Sequence, residues 1–401
     1  MTVESKHITI TLIGIGNHPT PEFSNEVISK INIHQVFSGG KRHYELVRDF
    51  LPKEHQWIFI KGGMEALMNT YVEINKSIVV FASGDPLFYG FGNTLKRLLP
   101  QVNLEVYPYF NSIQRLCHKT QTNYNQLKAV SIHGRDWSAL DTALINKETL
   151  IGVLTDGIKT PAAIAQRMLQ YGFDNYSITI GEELDGVDEK VKVAFLKETT
   201  QAVHNTLNCV LLKRTTIKNK QLGNIDALFT HLPNRQNMIT KMSVRLTTIH
   251  ALNFKENEVF WDVGACTGAV AIEAKKYEPT LKVVAFEKRE NCKEIIQENK
   301  ERFSTPGIQV KIADFFELDL NEFPIPDVVF IGGHGNRLEE MLLKLIGLNP
   351  NVRLVTNAVQ EKSSTVFNSV LTHKGFELST ISLQVNEYNN IKIHAAVKSK
   401  K

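Results

Sequence analysis

The 401-residue chain has no apolar run near the roughly 18 residues that a bilayer-spanning helix needs, which excludes a helical membrane protein. Its opening segment, MTVESKHITITLIGIG, lacks the basic start and apolar core of a secretory signal. A cytoplasmic protein is expected. Cysteine is scarce: Cys117, Cys209, Cys266 and Cys292 stand apart, with no CxxC or CxxH pair. That spacing argues against a zinc site and against a disulfide framework, so no metal is expected and the thiols should be reduced. A basic excess is missing too. Lys and Arg number 46 against 42 Asp and Glu, for a net charge of +4. No basic stripe marks a nucleic-acid binder, and the faint positive balance suits an acidic small molecule. Low-complexity segments and short repeats are also lacking.

What is present is 42% hydrophobic residues and enough length for two or three domains at roughly 100–200 residues each. Apolar runs that read as strands alternate with amphipathic stretches. HITITLIGIG, SIVVFASG, LEVYP, LKAVSIHG and TLIGVLTD end in small or acidic residues; ITIGEELDG and LNCVLLKR close this series. Helical patterns lie between them, as in PEFSNEVISKI and LFYGFGNTLKRLL. In TPAAIAQRMLQYG, Thr160 is placed to cap, Pro161 to open and Gly172 to stop the helix. Such alternation predicts an α/β class with parallel sheets. Residues 214–235 are polar and aperiodic and read as a linker. A second series follows: EVFWDVG, LKVVAFE, IQVKIAD, PDVVFIGG and VRLVTNAV, then an alternating C-terminal segment that predicts a hairpin.

The sharpest motif is WDVGACTGAVAIEAKKY. A strand ends at Asp262, a glycine-bearing turn follows, and a helix of small residues begins near Ala269. Glycines at such a turn admit a ligand to the backbone, and the helix start offers unbonded N–H groups. The next strand ends at Glu287, placed to accept both hydroxyls of a ribose, and the third ends in Ala313-Asp314 at the same carboxyl edge. Asp-x-Gly-x-Cys-x-Gly is not the GxGxxG of dinucleotide folds. It resembles the class I S-adenosylmethionine (SAM) methyltransferases, with Cys266 where that class usually has Gly. The turn keeps its shape provided this position needs no positive φ; Cys266 itself reads as a small filler rather than a nucleophile. Upstream, Thr240 either caps the helix carrying Arg245 or touches the cofactor. Downstream, His334 lies in a Gly-rich loop, GGHGN, that would face the methyl donor and substrate.

In the first half, GIGNHPTP, SGDPLFYGFG, PYFNSIQ, SIHGRDW and TDGIKTPAAIA follow successive strands. Each is weak alone. As an ordered set over residues 7–213 they resemble the tetrapyrrole methylases, the class III SAM methyltransferases, and SGDPLFYG, HGR and TPAAIA their corrin C5-methylating branch. TKxxVR, DVGACTG and GGHGN resemble the C15-methylating, decarboxylating partner. The whole chain thus resembles the fused precorrin-6Y C5,15-methyltransferases (decarboxylating) of cobalamin biosynthesis.

That resemblance implies an N-terminal bilobed class III fold over residues 1–213, a linker over 214–235, and a Rossmann-like class I methyltransferase domain over 236–401. It implies two SAM sites. The first would use Ser83, Gly84, Asp85, Phe88, Asn111, Ser112 and Leu154 (or Thr155), with no definite role for Asn17. The second would use Thr240, Gly264, Ala265, Cys266, Thr267, Gly268, Glu287 and Asp314. The substrate would be an anionic tetrapyrrole whose nucleophilic C5 and C15 need only positioning, with loss of CO₂ from the C12 acetate assigned to the second half. Arg135, Arg245 and Arg337 are candidates for its carboxylates, beside ordinary salt-bridge roles, and His334 for a proton donor. A homo-oligomer is implied, with no nucleic-acid or membrane partner. Two other functions stay open on the residues alone: a tRNA or rRNA methyltransferase, and a non-catalytic SAM-binding protein.

Overall fold

The computed structural model describes residues 8–217, 222–386 and 390–399. Residues 218–221 of the segment read as linker, and 387–389 of the C-terminal hairpin, lie outside the described residues. Three sheets organise the chain. The first contains β1 (Thr9–Ile15), β2 (Val36–Gly39), β3 (Gln56–Phe59), β4 (Ile78–Ser83) and β5 (Asn103–Tyr107) in the order β3-β2-β4-β1-β5, all parallel. Its inner strands β1, β2 and β4 are buried on both faces. Ile10 and Leu12 enter one core while Ile13 and Ile15 enter the other, as a two-residue period requires.

The second sheet contains β6 (Leu127–Ser131), β7 (Leu150–Leu154), β8 (Tyr176–Glu182), β9 (Lys190–Ala194) and β10 (Asn208–Arg214), ordered β6-β7-β10-β8-β9. Here the expectation of parallel sheets is corrected. Only β6 and β7 run parallel; the other pairs are antiparallel. Residues 183–189 alone join β8 to β9, too short a link for a helical crossover, so the two strands pair as a hairpin. The helix Pro161–Gln170 starts as its sequence predicts. Thr160 Oγ1 accepts from the Ala163 amide at 3.3 Å, and Gly172 takes φ +69° beyond the last turn.

The third sheet contains β11 (Val259–Val263), β12 (Lys282–Glu287), β13 (Ile308–Ile312), β14 (Val328–Ile331), β15 (Arg353–Ala358), β16 (Phe376–Leu383) and β17 (Ile391–Lys398). Its order is β13-β12-β11-β14-β15-β17-β16, with the expected terminal hairpin supplying the two antiparallel strands. Alternate residues feed opposite cores. Phe260, Val283 and Phe330 meet the helices Met242–Leu252, Ala269–Tyr277 and Cys292–Arg302 on one face. Trp261, Val284 and Val329 meet Leu338–Leu348 and Glu361–His373 on the other. Small residues let Ala269–Tyr277 sit deep, with Ala269 through Lys275 all buried.

By contacts the chain forms two compact units. One takes in the chain to Arg135 with Thr149–Gln166 and Tyr176–Thr215; the other takes in Asp136–Glu148, Arg167–Asn175 and the chain from Thr216. The end of the segment read as linker is folded. Phe229 and Leu232 are buried in the second unit's core, through isolated side chains that leave no period to read. Among the described residues no helix is long and apolar enough to cross a membrane.

Arg245 locks this unit. Its guanidinium is fully buried and donates to Glu273 Oε2 (2.9 Å), Asp226 Oδ1 (2.9 Å), Thr240 O (2.6 Å) and Asn224 O. Removing the cation leaves the buried Glu273 carboxylate uncompensated, which costs about 3–5 kcal/mol. Arg245→Ala should therefore lower the unfolding free energy of the second unit by an amount of that order, read from denaturant titrations followed by circular dichroism.

Candidate functional site

A cavity of about 820 Å³ opens at the carboxyl edge of the third sheet. That lies within the roughly 300–1,000 Å³ of small-ligand sites. Its floor is the β11 turn, where the chain passes so close to the loop after β14 that a Cβ on Gly264 would lie 2.6 Å from the Gly333 amide nitrogen. Gly264 (φ +81°) and Gly268 (φ +74°) take the left-handed backbone that glycine adopts without strain. Cys266 takes it as well, at φ +53°. The condition placed on this turn, that position 266 needs no positive φ, is not met; the turn forms nonetheless, and a side chain there costs about 1–2 kcal/mol. Two bonds hold it: the Cys266 amide donates to Glu287 Oε2 (2.8 Å), and its thiol to Met238 O (3.0 Å). Burial pushes that thiol up to about 12, so it is no nucleophile at neutral pH.

Two carboxylates lie under the turn with opposite surroundings. Asp262 is buried, and its Oδ2 accepts from the Ala271 amide (3.0 Å) in the first turn of the following helix. Its Oδ1 is buried at the cavity without a partner. Burial raises its pKa to about 7. Glu287, equally buried, is saturated. Oε1 accepts from the Lys288 amide, the Arg289 amide and Arg289 Nε at 2.9–3.0 Å; Oε2 accepts from the Cys266 amide and Arg289 Nη2 at 2.8–2.9 Å. Burial pushes its carboxyl up, but the Arg289 and amide hydrogen bonds outweigh it and hold the group below its ordinary range.

Other sequence-predicted residues separate here. Ala265, Thr267 and Asp314 line the cavity, and Asp314 Oδ1 also accepts from the Phe316 amide (3.0 Å). Thr240 lines it too, but its expected capping role is corrected. Lys241 occupies the N-cap, and it is the Thr240 carbonyl that engages Arg245. Arg245 is removed from the substrate-facing candidates, because every bond described above turns its guanidinium inward. Arg337 remains at the mouth, over the Phe316 ring (3.7 Å to the centroid) and paired with Glu340 at 2.7 Å. His334 also lines the mouth. Its Nε2 lies 3.4 Å from Ser363 Oγ, its Nδ1 is buried without a partner, and burial lowers its pKa, leaving the ring neutral. The sequence reading passed over Asn357, next to the last residue of β15, which lines the same cavity and accepts from Thr248 Oγ1 at 3.1 Å. It passed over Arg289 as well, although a cation two residues beyond the strand-ending Glu287 was the available signal.

In the first unit, the loops after β1, β4 and β5 converge. A Cβ on Gly14 would overlap the Gly84 carbonyl oxygen, and Gly84 has φ +60°. Asp85 accepts from the Leu87 amide (2.8 Å), the turn its sequence predicts. Asn111 caps the helix Ser112–Lys119 through Gln114 N (2.9 Å), and the Ser112 carbonyl accepts from the Cys209 thiol. Phe88 and Leu154 pack against Ile113, Leu116 and Leu211. Thr155 Oγ1 donates to Asn208 (2.6–2.7 Å). The HGR and TDG loops interlock through His133 Nδ1 at 2.7 Å from Thr155 O and the Gly134 amide donating to Asp156 (3.0 Å). Arg135 is exposed over the Tyr89 ring, 5.2 Å from its centroid. Arg42 and His43, unremarked in the sequence, reach Ser83 from GGKRHY.

A precorrin methyltransferase domain profile matches residues 231–394, which spans this cavity. A cobalt-precorrin-6B C(15)-methyltransferase (decarboxylating) of Salmonella typhimurium is 31% identical over 136 residues, or 34% of this chain and 68% of that one. The chain belongs to the precorrin methyltransferases. A precorrin-6Y C(5,15)-methyltransferase [decarboxylating] of a Sinorhizobium species is 29% identical over 360 residues, 87% of this chain and 84% of its own. A cobalt-precorrin-7 C(5)-methyltransferase of Salmonella typhimurium is 27% identical over 184 residues, 45% of this chain and 88% of that one. This family member thus has relatives acting at each of two ring positions and one that joins both.

The Asp262 environment gives a pH dependence with a definite sign. Its native pKa lies above the ordinary carboxylate value, so the folded state binds the proton more tightly and loses stability as pH rises from about 4 to about 7. Asp262→Asn, which keeps an acceptor for Ala271 N, should flatten that decline in thermal melts recorded across this window.

Proposed function

We propose that this chain methylates precorrin-6Y, or its cobalt form, at C5 and C15 and removes the C12 acetate carboxyl as CO₂. Residues 1–213 serve the C5 step, 214–235 connect, and 236–401 serve the C15 step and decarboxylation. The observation that carries the reading is the cavity at the edge of the third sheet, whose glycine turn, acidic strand end and cationic mouth suit a nucleoside beside an anionic macrocycle. Extended likeness to the fused relative supports the two-step assignment.

S-adenosylmethionine, when bound, supplies an electrophilic methyl group. The residues present fit it: the missing Cβ at Gly264 lets the Gly333 loop close against the turn, and Asp262 Oδ1, buried at the cavity without a partner, can accept from a donor on the ligand. Gly264, Ala265, Cys266, Thr267 and Gly268 would line the methionine side, with Glu287 at the ribose and Asp314 and Thr240 beside them. Glu287 gains room for ribose hydroxyls only as Arg289 turns outward, since both its oxygens are occupied by that fork and by amides. The freed guanidinium joins Lys288 and Arg337 at the mouth, where ring carboxylates can be gripped. A neutral His334 there can relay a solvent proton to the ring as CO₂ leaves, accepting at one ring nitrogen while the other donates. Walls such as Phe286, Phe316 and Phe330 exclude water and destabilise a carboxylate drawn between them. A second cofactor site at Ser83–Asp85 completes the reading, in a cytoplasmic enzyme acting on a tetrapyrrole and on neither nucleic acid nor membrane, as a homo-oligomer.

Incubation with SAM and precorrin-6Y or its cobalt form should add two methyl groups and remove CO₂ by mass analysis; an unchanged mass rejects the reading. Asp85→Ala should abolish the C5 methyl and spare the C15 step. Glu287→Ala should weaken SAM binding by about 10- to 100-fold at one of two sites, as loss of charge-assisted hydrogen bonds requires, read by calorimetry.

A further inference from the structure

We propose that Arg42, together with the Ser83 hydroxyl, is the carboxylate anchor of the first methyl-transfer site. This inference rests on the functional reading above and deepens it by naming a ligand-binding group. Arg42 is half-buried at the carboxyl edge of the first sheet, and it spends its charge on neutral acceptors only. Nη1 donates to Asn17 Oδ1 (2.6 Å) and Nη2 to Ser83 Oγ (2.7 Å). Among the described residues no carboxylate comes within ion-pair distance of it. The nearby Glu183 is held one side chain away, by Asn17 Nδ2 donating to its Oε2 at 3.1 Å. A guanidinium half removed from water with no carboxylate in contact keeps part of its desolvation cost uncompensated, and an anionic ligand relieves it.

The Ser83 hydroxyl has only a proton left to offer. His43 Nδ1 accepts from the Gly40 amide (3.2 Å), so the ring proton is on Nε2 and donates to Ser83 Oγ at 3.0 Å. Burial, then the Arg42 charge, hold His43 down at about 4, which keeps it neutral. With Arg42 and His43 both donating, the two lone pairs of Ser83 are filled, and its exposed O–H points at whatever binds. Guanidinium and hydroxyl together present only donors, the pattern that selects a carboxylate. Ser83 stands immediately before Gly84-Asp85, where β1 and the loop after β4 touch.

Two sources supply that carboxylate: the amino-acid end of the cofactor, or an acetate or propionate of the macrocycle. Arg42→Met and Arg42→Lys in the full chain separate them. In the cofactor arm, SAM titration should show one of two sites weakened by about 10- to 100-fold. In the macrocycle arm, SAM binding stays intact while KM for the C5 step rises by a similar factor. In either arm Lys restores part of the loss, and the product keeps its C15 methyl and lost CO₂, which also reports a folded chain. A wild-type chain that leaves the macrocycle mass unchanged overturns the functional reading and this inference together. A converting wild type whose Arg42→Met variant keeps SAM affinity, KM and the C5 methyl overturns the Arg42 assignment alone. So does a variant that lowers kcat and melting temperature with affinity and KM unmoved, or one that Lys does not rescue.

Discussion

The candidate sites depend on one steric constraint, the near-contact of two backbones at the carboxyl edge of a parallel sheet. In the second unit the turn after β11 and the loop after β14 approach until no Cβ fits at Gly264. In the first, β1 and the loop after β4 do the same at Gly14 and Gly84. Each pair of strands is adjacent in its sheet, and β11 sits where the order reverses, with β12 and β13 to one side and β14 and β15 to the other. Chains leaving such a pair diverge to opposite directions and open a crevice. Glycine at the closest point keeps the crevice deep, because any side chain would fill it or force the loops apart.

The charges in the second crevice follow from this depth. Asp262 stands next to the end of β11 and Glu287 ends its neighbour β12; both are buried, and the Glu287 charge raises the cost of ionising Asp262. They diverge because of what surrounds them. Glu287 faces the start of the next loop, where two backbone amides and Arg289 are available, and it stays ionised. Asp262 finds a single amide, from the helix it caps, and is pushed toward the neutral form. The strained Cys266 belongs to the same balance, since its left-handed backbone delivers its amide to Glu287 Oε2. A carboxylate bond of this kind offsets a strain of about 1–2 kcal/mol.

Elements encoded by local period were legible in the sequence. The strands of the third sheet were visible: burial on both faces writes near-continuous apolar runs in β11, β12 and β14, and alternation marked the β16–β17 hairpin. The cap at Thr160 and the stop at Gly172 were equally local. What escaped detection depends on partners far along the chain. The antiparallel order of β8, β9 and β10 is set by which edges are free. β2, β3 and β9 are too short or too solvent-facing to show a pattern, and Phe229 and Leu232 join a core from a segment without periodicity. The glycine turn and Glu287 were read from spacing alone, whereas the amide environment that separates Asp262 from Glu287 exists only once β11 and β12 pair.

Arginine shows why residue type alone misleads about a site. A guanidinium has five N–H donors, and what it does for a ligand depends on how many the fold has already claimed and by what charge. Arg245 is claimed by two carboxylates and two carbonyls, so it holds helices together. Arg353 is claimed bidentately by Glu258 at 2.6–2.8 Å and joins β15 to the start of β11. Arg289 is forked onto Glu287 at the cavity wall, so its charge is already matched. Arg337 has a partner in Glu340, yet both remain in water, where solvent screens the pair and it yields readily to a better anion. Arg42 is held in place by a serine and an asparagine that orient it without neutralising it. The chain's net charge of +4 says little beside this distribution. An anionic ligand responds to the few cations that the fold has left electrically unsatisfied.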